Sequence, residues 1–364
     1  MHMGSSEITY KKRIEKIIKS VEDRGVEASL ISNEKNIRYL TGFWGKDSQS
    51  FLLLSREHKI LFTDFRFIKQ AEGQRVADVF QWREPRITHF ADKASKIGLK
   101  SIAFEDCLPY LEFGQISEAL SGIDLAPAHN LVENLRKIKA RFEIDKIREA
   151  ASIADAIFPS ILKILKPGIR ELDVVAEIEY QMKKMGAEDR AFDVVVASGM
   201  NSSMPHATAT SKKIEVYDVV KIDYGAVVDG YCSDITRTVI LGHAGKEVID
   251  MYETVRKAQE LALGSIRGNM SCKELDSIAR SYIEEKGYGE KFGHGLGHGV
   301  GLDIHEAPFI TPSNDQLLEA WMVFTVEPGI YVPGFGGIRI EDMVVLEKDG
   351  VEVLTKTSKE LIII

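Results

Sequence analysis

The 364-residue sequence has few cysteines, no long apolar run and no excess of basic residues. Its three cysteines, Cys107, Cys232 and Cys272, are too few and too scattered for a disulfide framework, so we expect a reducing, cytoplasmic location. No stretch approaches the roughly 18 apolar residues of a membrane-spanning helix, and the N-terminus lacks a signal pattern, so we expect no membrane association. The net charge of -8, from 47 basic and 55 acidic residues, predicts no nucleic-acid binding.

The chain is long enough for two domains, and its pattern changes near residue 130. Up to that point, strand-like apolar runs alternate with helical segments, the first of which is predicted over residues 7–24. This alternation predicts a small α/β domain over residues 1–130. Residues 131–364 carry longer helices between strand hairpins and are predicted to form a second, α+β domain.

The second domain contains a weak internal repeat. Glu171-Leu-Asp recurs as Glu274-Leu-Asp, and Asp223-Tyr-Gly recurs as Glu327-Pro-Gly at nearly the same offset. Two similar halves would bring their hairpins together around a pseudo-twofold axis. Chance similarity between short segments is the alternative.

Asp223 and Asp234 flank a predicted hairpin whose loop contains Asp229-Gly230. The midpoint between the two aspartates falls in this loop, so we expect them to face each other across neighbouring strands. Facing carboxylates repel each other unless a cation lies between them. The alternative is a pair of surface aspartates beside a turn, and this hairpin alone leaves both interpretations open.

A second acidic pair and several histidines lie further along the chain. Glu327 and Glu341 flank a turn centred on Gly334, and four histidines lie nearby in the sequence: His206, His294, His298 and His305. Four carboxylates with an imidazole are a donor set that binds paired divalent cations. The alternating glycines around the second and third histidines argue against a zinc-binding helix and a dinucleotide-binding loop. We expect one histidine to be a ligand and the other three to support the ligands or contact substrate.

The order and context of these residues resemble the pita-bread metallopeptidases. The matching motifs are Asp-Ile-Thr-Arg-Thr, Gly-His-Gly-Val-Gly, Thr-Val-Glu-Pro-Gly and Gly-Ile-Arg-Ile-Glu-Asp. The resemblance is strongest to the Xaa-Pro peptidases, which include aminopeptidase P and prolidase. It implies a creatinase-like α/β N-terminal domain, followed by an α+β pita-bread catalytic domain with a pseudo-twofold internal repeat.

The resemblance also implies a centre of two divalent metal ions held by five side chains: Asp223, Asp234, His298, Glu327 and Glu341. Asp234 and Glu341 would bridge both ions, while Arg339 and Thr236 would steady the ligand carboxylates. Manganese is the favoured metal because the set is rich in oxygen, contains no thiolate and has one imidazole. Cobalt and zinc are the alternatives.

In enzymes of this kind, hydroxide generated at the metal ions attacks the scissile carbonyl. The resemblance implies that Glu327 shuttles a proton and that His206 contacts substrate near the leaving group. His305 would donate a hydrogen bond to the carbonyl oxygen, and His294 would line the substrate pocket.

Charge near the site favours one activity over another. A dipeptidase must neutralise the C-terminal carboxylate of its substrate, ordinarily with arginine. No lysine or arginine occurs between Lys291 and Arg339. The resemblance implies that Phe309 stands where prolidases carry an arginine. We therefore predict an aminopeptidase P that releases the N-terminal residue from peptides with proline in second position. The resemblance also implies a homodimer. Prolidase is the alternative, and a non-catalytic binding relative on the same fold is the alternative from another class.

Overall fold

The computed structural model describes residues 5–364, and the chain divides into two compact units. The first unit ends at Arg136 and the second spans Lys137–Ile364. The predicted domain boundary, between residues 130 and 131, lies a short way upstream and stays a prediction. Among the helices of the described residues, none has the length and apolar character needed to span a membrane.

The first unit is built on a six-stranded mixed sheet in the order β4-β3-β2-β1-β5-β6. Its strands are β1 (Ala28–Ile31), β2 (Phe51–Ser55), β3 (Lys59–Thr63), β4 (Asp78–Gln81), β5 (Ser101–Glu105) and β6 (Asp124–Ala128). Its helices are α1 (Ser5–Glu22), α2 (Glu34–Thr41), α3 (Ile68–Ala71), α4 (Arg86–Lys96), α5 (Tyr110–Ala119) and α6 (Glu133–Arg136). Strand β1 runs antiparallel to β2 and parallel to β5. The alternation of strands and helices confirms the predicted α/β class.

Helix α1 closely matches the helix predicted over residues 7–24. Its apolar stripe of Ile14, Ile17, Ile18 and Val21 is buried, as the 3.6-residue periodicity predicts. Strand β2 lies inside the sheet between β1 and β3, and all five of its residues are buried. Both faces of β2 are therefore covered, which explains why its sequence is a continuous apolar run rather than an alternating one.

The second unit contains four α-helices, two short 3₁₀ helices and fourteen strands among the described residues. The helices are α7 (Arg141–Ile164), α8 (Glu171–Lys184), α9 (Lys246–Ser265) and α10 (Cys272–Glu285), and the 3₁₀ turns are Gly199–Ser203 and Gly289–Lys291. The strands before α9 are β7 (Asp189–Arg190), β8 (Val195–Ser198), β9 (Val219–Tyr224), β10 (Ala226–Val228), β11 (Tyr231–Cys232) and β12 (Ile235–Ile240). Those after α10 are β13 (Gly297–Gly299), β14 (Glu306–Ile310), β15 (Val323–Val326), β16 (Gly329–Val332), β17 (Gly336–Arg339), β18 (Asp342–Leu346), β19 (Val351–Val353) and β20 (Ile362–Ile363).

The second unit is made of two halves with the same order of elements. Helices α7 and α8 precede a sheet in the order β20-β12-β9-β8, and helices α9 and α10 precede a sheet in the order β14-β13-β15-β18-β19. Each half has its own apolar core. Ser271 caps α10 by accepting a hydrogen bond of 3.1 Å from the backbone N–H of Glu274. This common order agrees with the predicted repeat.

Strand β9 shows how the fold separates core from site. Val220, Ile222 and Tyr224 belong to the core of the first half. Lys221 and Asp223 alternate with them along the strand and therefore project from its opposite face. That opposite face carries the first of the predicted metal ligands.

We expect the buried side chains of β2 to stabilise the first unit far more than the apolar side chains that are exposed on the surface of that unit. Leu53 is fully buried, whereas Leu111 on α5 is 74% exposed. Leu53→Ala should lower the free energy of unfolding by about 3 kcal/mol because it leaves a cavity. Leu111→Ala, the control, should change it by less than about 0.5 kcal/mol. Urea denaturation followed by circular dichroism tests this, and equal effects would contradict the assignment of the core.

Candidate metal centre

Asp223 and Asp234 lie on neighbouring parts of the first hairpin, but they are not directly opposite each other. Strands β9 and β12 pair so that Asp223 lies opposite Thr236, so the predicted facing of the two aspartates was wrong by two residues. The cause is the turn: Asp229 and Gly230 both have positive φ, of 48° and 75°, as in a two-residue type I′ turn. This tight turn centres the hairpin one residue later than predicted, and Asp234 becomes a diagonal neighbour of Asp223.

Glu327 and Glu341 flank the second hairpin in the predicted register. Gly329 pairs with Arg339 in β16 and β17, and the pairing of β15 with β18 continues the same register. The prediction of a turn centred on Gly334 is therefore confirmed. Both glutamates lie in short breaks between paired strands, and their backbone N–H groups donate to the carbonyls of Leu296 and Thr236, respectively.

His298 lies on β13 with its ring directed at the acids. Its Nδ1 lies 3.2 Å from the carbonyl oxygen of Gly299, and its Nε2 lies 3.2 Å from Glu327 Oε1 and 3.6 Å from Asp234 Oδ2. A backbone carbonyl that accepts from Nδ1–H leaves the Nε2 lone pair facing the carboxylates, which is the usual arrangement of a metal-binding histidine. The glycines on both sides belong to an extended strand, which confirms the prediction that this run is not a helix.

The donor atoms converge within the reach of a metal ion. One donor atom each from Asp234, His298 and Glu341 lies within 4.8 Å of the others. Asp223, Asp234 and Glu341 are nearly fully buried, yet each has one carboxylate oxygen with no hydrogen-bond partner among the described residues 5–364. Such oxygens are costly in a protein interior. Divalent cations are partners that such carboxylate oxygens can take, so the residues present fit a metal centre.

The electrostatics of the cluster also favour a bound cation. Burial raises the pKa of Asp234 well above its usual value, and the charges of Glu341 and Asp223 raise it further. Burial likewise raises the pKa of Glu341, with Glu327 and Asp223 adding to the effect. Without a cation, these acids would retain protons at pH values where an exposed acid is ionised. Two divalent cations would balance the four carboxylates.

Glu327 differs from the other acids because positive groups surround it. Burial alone would raise its pKa, but the hydrogen bond and charge of His298, together with the charge of Arg339, lower it to about 2. Its Oε1 also accepts a hydrogen bond of 3.1 Å from the hydroxyl of Thr325. Glu327 is therefore the cluster's most readily ionised acid among those with a shifted pKa.

Arg339 and Thr236 connect the two hairpins. Arg339 donates to Asp223 Oδ2 through Nη2, and to the hydroxyl oxygen of Thr236 through Nε at 3.0 Å. The Thr236 hydroxyl in turn donates to Glu341 Oε2 at 2.7 Å. Each hairpin therefore supplies both an acid and a donor to an acid of the other, which fixes their spacing. The part that these two residues play in the reaction stays a prediction.

Tyr331 is a site residue that the sequence analysis missed. Its hydroxyl accepts a hydrogen bond of 2.9 Å from Arg339 Nη1 and lies 3.0 Å from His294 Nε2. A Cβ on Gly329 would lie 2.5 Å from this hydroxyl, so the glycine leaves the space that the phenol occupies. The two-residue period that runs from Glu327 through Gly329 to Tyr331 is the signal that would have found it.

The remaining predicted histidines lie around the same cavity. The His305 ring is 4.3 Å from the His298 ring, and burial together with the charge of His298 lowers the pKa of His305. Burial also lowers the pKa of His294. The charge of Glu327 opposes this shift, and the charge of Arg339 adds to it. His206 is exposed and lies on the loop that follows Gly199–Ser203. All three line the same cavity.

The cavity has a volume of about 470 Å³ and is lined by both acidic and apolar side chains. All five predicted metal ligands line it, and its apolar lining, which we call the apolar wall, includes Phe192, Val194, Val195, Ala207 and Phe309. Arg339 is the only lysine or arginine among the described residues that line it. Phe309, which is 46% exposed, lies opposite His298 in the pairing of β13 with β14. An apolar wall beside a polar centre suits an oriented small ligand.

Two family descriptions match the chain. Residues 145–348 match Metallopeptidase family M24, and residues 13–138 match the Creatinase/Prolidase N-terminal domain. Together these matches cover most of the chain, one in each compact unit. They confirm the expected fold class, a creatinase-like α/β domain followed by a pita-bread catalytic domain.

Individual relatives are similar over almost the whole length. The chain is 37% identical to an Xaa-Pro dipeptidase from Pyrococcus horikoshii, over 96% of this chain and 99% of that protein. A solved structure of an Xaa-Pro dipeptidase from Bacillus anthracis has 41% identity and a TM-score of 0.94, and the match covers 98% of this chain and 100% of that one. An X-Pro aminopeptidase from Thermotoga maritima has 38% identity and a TM-score of 0.89, with 97% and 100% covered. The chain therefore belongs to metallopeptidase family M24.

Proposed function

We propose that this protein is a metal-dependent peptidase that hydrolyses Xaa-Pro dipeptides. The observation that carries the proposal is a cavity lined by four carboxylates and one imidazole. Asp234, His298 and Glu341 place donor atoms within 4.8 Å of one another, and three buried carboxylate oxygens lack a partner among the described residues. The dipeptide specificity is supported by the relatives that are named Xaa-Pro dipeptidases. It replaces the aminopeptidase P predicted from the sequence, which becomes the second candidate.

Five side chains would hold the metal ions: Asp223, Asp234, His298, Glu327 and Glu341. Bound divalent cations would polarise the scissile carbonyl and lower the pKa of a bound water. The oxygen-rich donor set favours manganese over zinc. Manganese and the homodimeric state stay predictions.

The chain's own residues would position the peptide and move its protons. Glu327, ionised at neutral pH, would accept a proton from the attacking water and deliver it to the proline nitrogen as the C–N bond breaks. His305, whose pKa is lowered, would be neutral and donate a hydrogen bond to the carbonyl oxygen. His206 would contact the substrate near the leaving group, and His294, held by Tyr331, would line the pocket.

A specific observation favours the second candidate, an Xaa-Pro aminopeptidase. A dipeptidase needs a positive group for the free carboxylate of its substrate. Among the described residues that line the cavity, only Arg339 carries a permanent positive charge, and it is paired with Asp223. A longer peptide has no carboxylate at this position and needs no such partner.

We expect metal binding to depend on Asp234. The wild-type protein, dialysed against manganese and analysed by metal mass spectrometry, should hold about two ions per chain, and added manganese should raise its melting temperature. Asp234→Asn should lose at least one ion and most of this rise, because an amide oxygen carries no charge. Its peptidase activity should fall by at least about a hundredfold, more than the loss of an outer hydrogen-bond partner.

Asp229→Asn is the matched control for this experiment. Asp229 lies in the turn of the same hairpin and lines no part of the cavity, and asparagine tolerates its positive φ. The control should therefore bind metal and respond to manganese as the wild type does. A wild-type protein that binds no divalent metal and cleaves no peptide would instead favour the non-catalytic binding relative.

A substrate comparison separates the two candidates. We expect the metal-loaded enzyme to cleave an Xaa-Pro dipeptide at least about tenfold more efficiently than the matching Xaa-Pro-Ala tripeptide, a difference of about 1.4 kcal/mol in transition-state binding. A Met-Ala peptide should be a poor substrate because it lacks the proline ring. The measurement is kcat/KM by chromatography of the products. A preference for the tripeptide would favour the aminopeptidase.

The apolar wall gives a further expectation about specificity. Phe309→Arg places a guanidinium at the cavity wall, where it can pair with a substrate carboxylate. It should raise the ratio of dipeptide to tripeptide kcat/KM by about tenfold, the effect of one charge-assisted hydrogen bond. Phe335→Arg, at the tip of the β16–β17 hairpin and outside the cavity lining, should leave the ratio unchanged. Equal ratios in all three proteins would contradict the placement of residue 309 beside the substrate carboxylate.

A further inference from the structure

Lys221 has no exposed surface, although lysine is rarely buried without partners. It lies on β9 two residues before Asp223, so both side chains project from the same face of the strand. Its Nζ donates to the carbonyl oxygens of Met204 at 2.6 Å, Pro205 at 3.1 Å and Ser202 at 3.3 Å. A buried polar group is costly unless it is hydrogen-bonded, and these three carbonyls satisfy it.

The carbonyls belong to residues 199–206, which we call the His206 segment. Ser202 is the only buried residue of this segment, so apolar packing contributes little to its position. Polar contacts hold it instead: besides those from Lys221, Arg339 Nη1 donates to the Pro205 carbonyl at 3.2 Å. The segment ends at an exposed ring that lines the cavity.

The contacts of Lys221 are placed where they constrain the ring most. The carbonyls of Met204 and Pro205 are those of the two residues directly before His206, and the pyrrolidine ring of Pro205 fixes the φ angle between them. Holding both carbonyls therefore fixes the direction in which the chain enters His206. Because Lys221 lies on the strand that carries Asp223, the same strand sets the position of a predicted ligand and of a predicted substrate contact.

We propose that Lys221 is a positioning residue that holds the His206 segment and thereby orients the imidazole of His206 toward the substrate. This inference rests on the proposed function, since it assigns Lys221 a part in the same reaction. It predicts that Lys221 acts through His206 rather than through the metal ligands.

A double-mutant cycle tests this dependence. The four proteins are the wild type, Lys221→Met, His206→Ala and the double variant, assayed with the Xaa-Pro substrate that the wild type cleaves best. Each single variant should lower kcat/KM by about tenfold to a hundredfold, as misplaced contacts do. The double variant should be within about twofold of His206→Ala alone, because a residue that acts through His206 has nothing to act on once the imidazole is gone. Losses that multiply would overturn the proposal.

Hydrogen exchange gives a readout that does not depend on activity. In Lys221→Met, amides of residues 199–206 should exchange faster, while those of β9 and β12 keep the wild-type rate. Lys212→Met is the matched control: Lys212 Nζ donates to Ser198 and pairs with Asp218, outside the segment. It should alter neither exchange in the segment nor kcat/KM. Unchanged exchange in Lys221→Met would also overturn the proposal.

The outcomes remain separable from those of the proposed function. A wild type that binds manganese but cleaves no Xaa-Pro peptide would refute the function, and the exchange experiment would still decide whether Lys221 holds the segment. Bound manganese should be equal in the wild type and Lys221→Met, whereas a loss of metal would assign Lys221 to the ligands instead. Lys221→Gln, which retains an amide donor, should show a smaller loss of kcat/KM. Failure of both variants to fold would overturn the proposal by making Lys221 a residue of the core.

Discussion

Repulsion among buried carboxylates is the constraint on which the catalytic unit depends. Asp223, Asp234 and Glu341 are each less than 10% exposed, and each leaves an oxygen without a hydrogen-bond partner among the described residues. Like charges in a medium of low dielectric interact strongly, so such a cluster costs folding free energy unless cations or protons neutralise it. The raised pKa values of Asp234 and Glu341 show that protons neutralise the cluster when no cation is bound. Bound divalent cations are the alternative way to neutralise it. The packing of the two apolar cores must therefore hold the acids close together against their mutual repulsion.

The two halves meet this requirement by sharing their polar groups. One hairpin supplies Asp223 and Thr236, the other supplies Arg339 and Glu341, and their hydrogen bonds cross between the halves in both directions. The backbone N–H of Glu341 also donates to the carbonyl of Thr236 at 3.1 Å. A shift of either hairpin would break several of these contacts at once, since they share donors and acceptors. The geometry of the acids is thus set by a network rather than by any single pair.

The α/β class of the first unit and the two acid-bearing hairpins follow from local patterns in the sequence, whereas the choice of His298 and the pita-bread fold come from the resemblance. The predicted register of the second hairpin is correct because its turn is rich in glycine and the apolar residues of its strands recur with a clear period. The predicted register of the first hairpin is wrong by two residues, because the midpoint between Asp223 and Asp234 lies one residue before the centre of the turn that the type I′ pair Asp229-Gly230 forms. Lys221 could not have been assigned from sequence, since its acceptors are backbone carbonyls, which carry no residue identity. Its role depends on tertiary contacts alone.

The acids bear on whether the protein hydrolyses a peptide bond, whereas the cavity wall bears on which peptides it accepts. A cluster of carboxylates with an imidazole supports hydrolysis, but it does not distinguish a dipeptide from a longer peptide, because both present the same scissile bond. Proteins named for either activity share this fold at high similarity, so the fold itself does not discriminate. The discrimination must come from how the chain treats the group after proline: a carboxylate needs a positive partner, and an amide does not. At this wall the chain has Phe309 and one arginine already paired with Asp223, so a single added charge should weigh more on specificity than any change of fold.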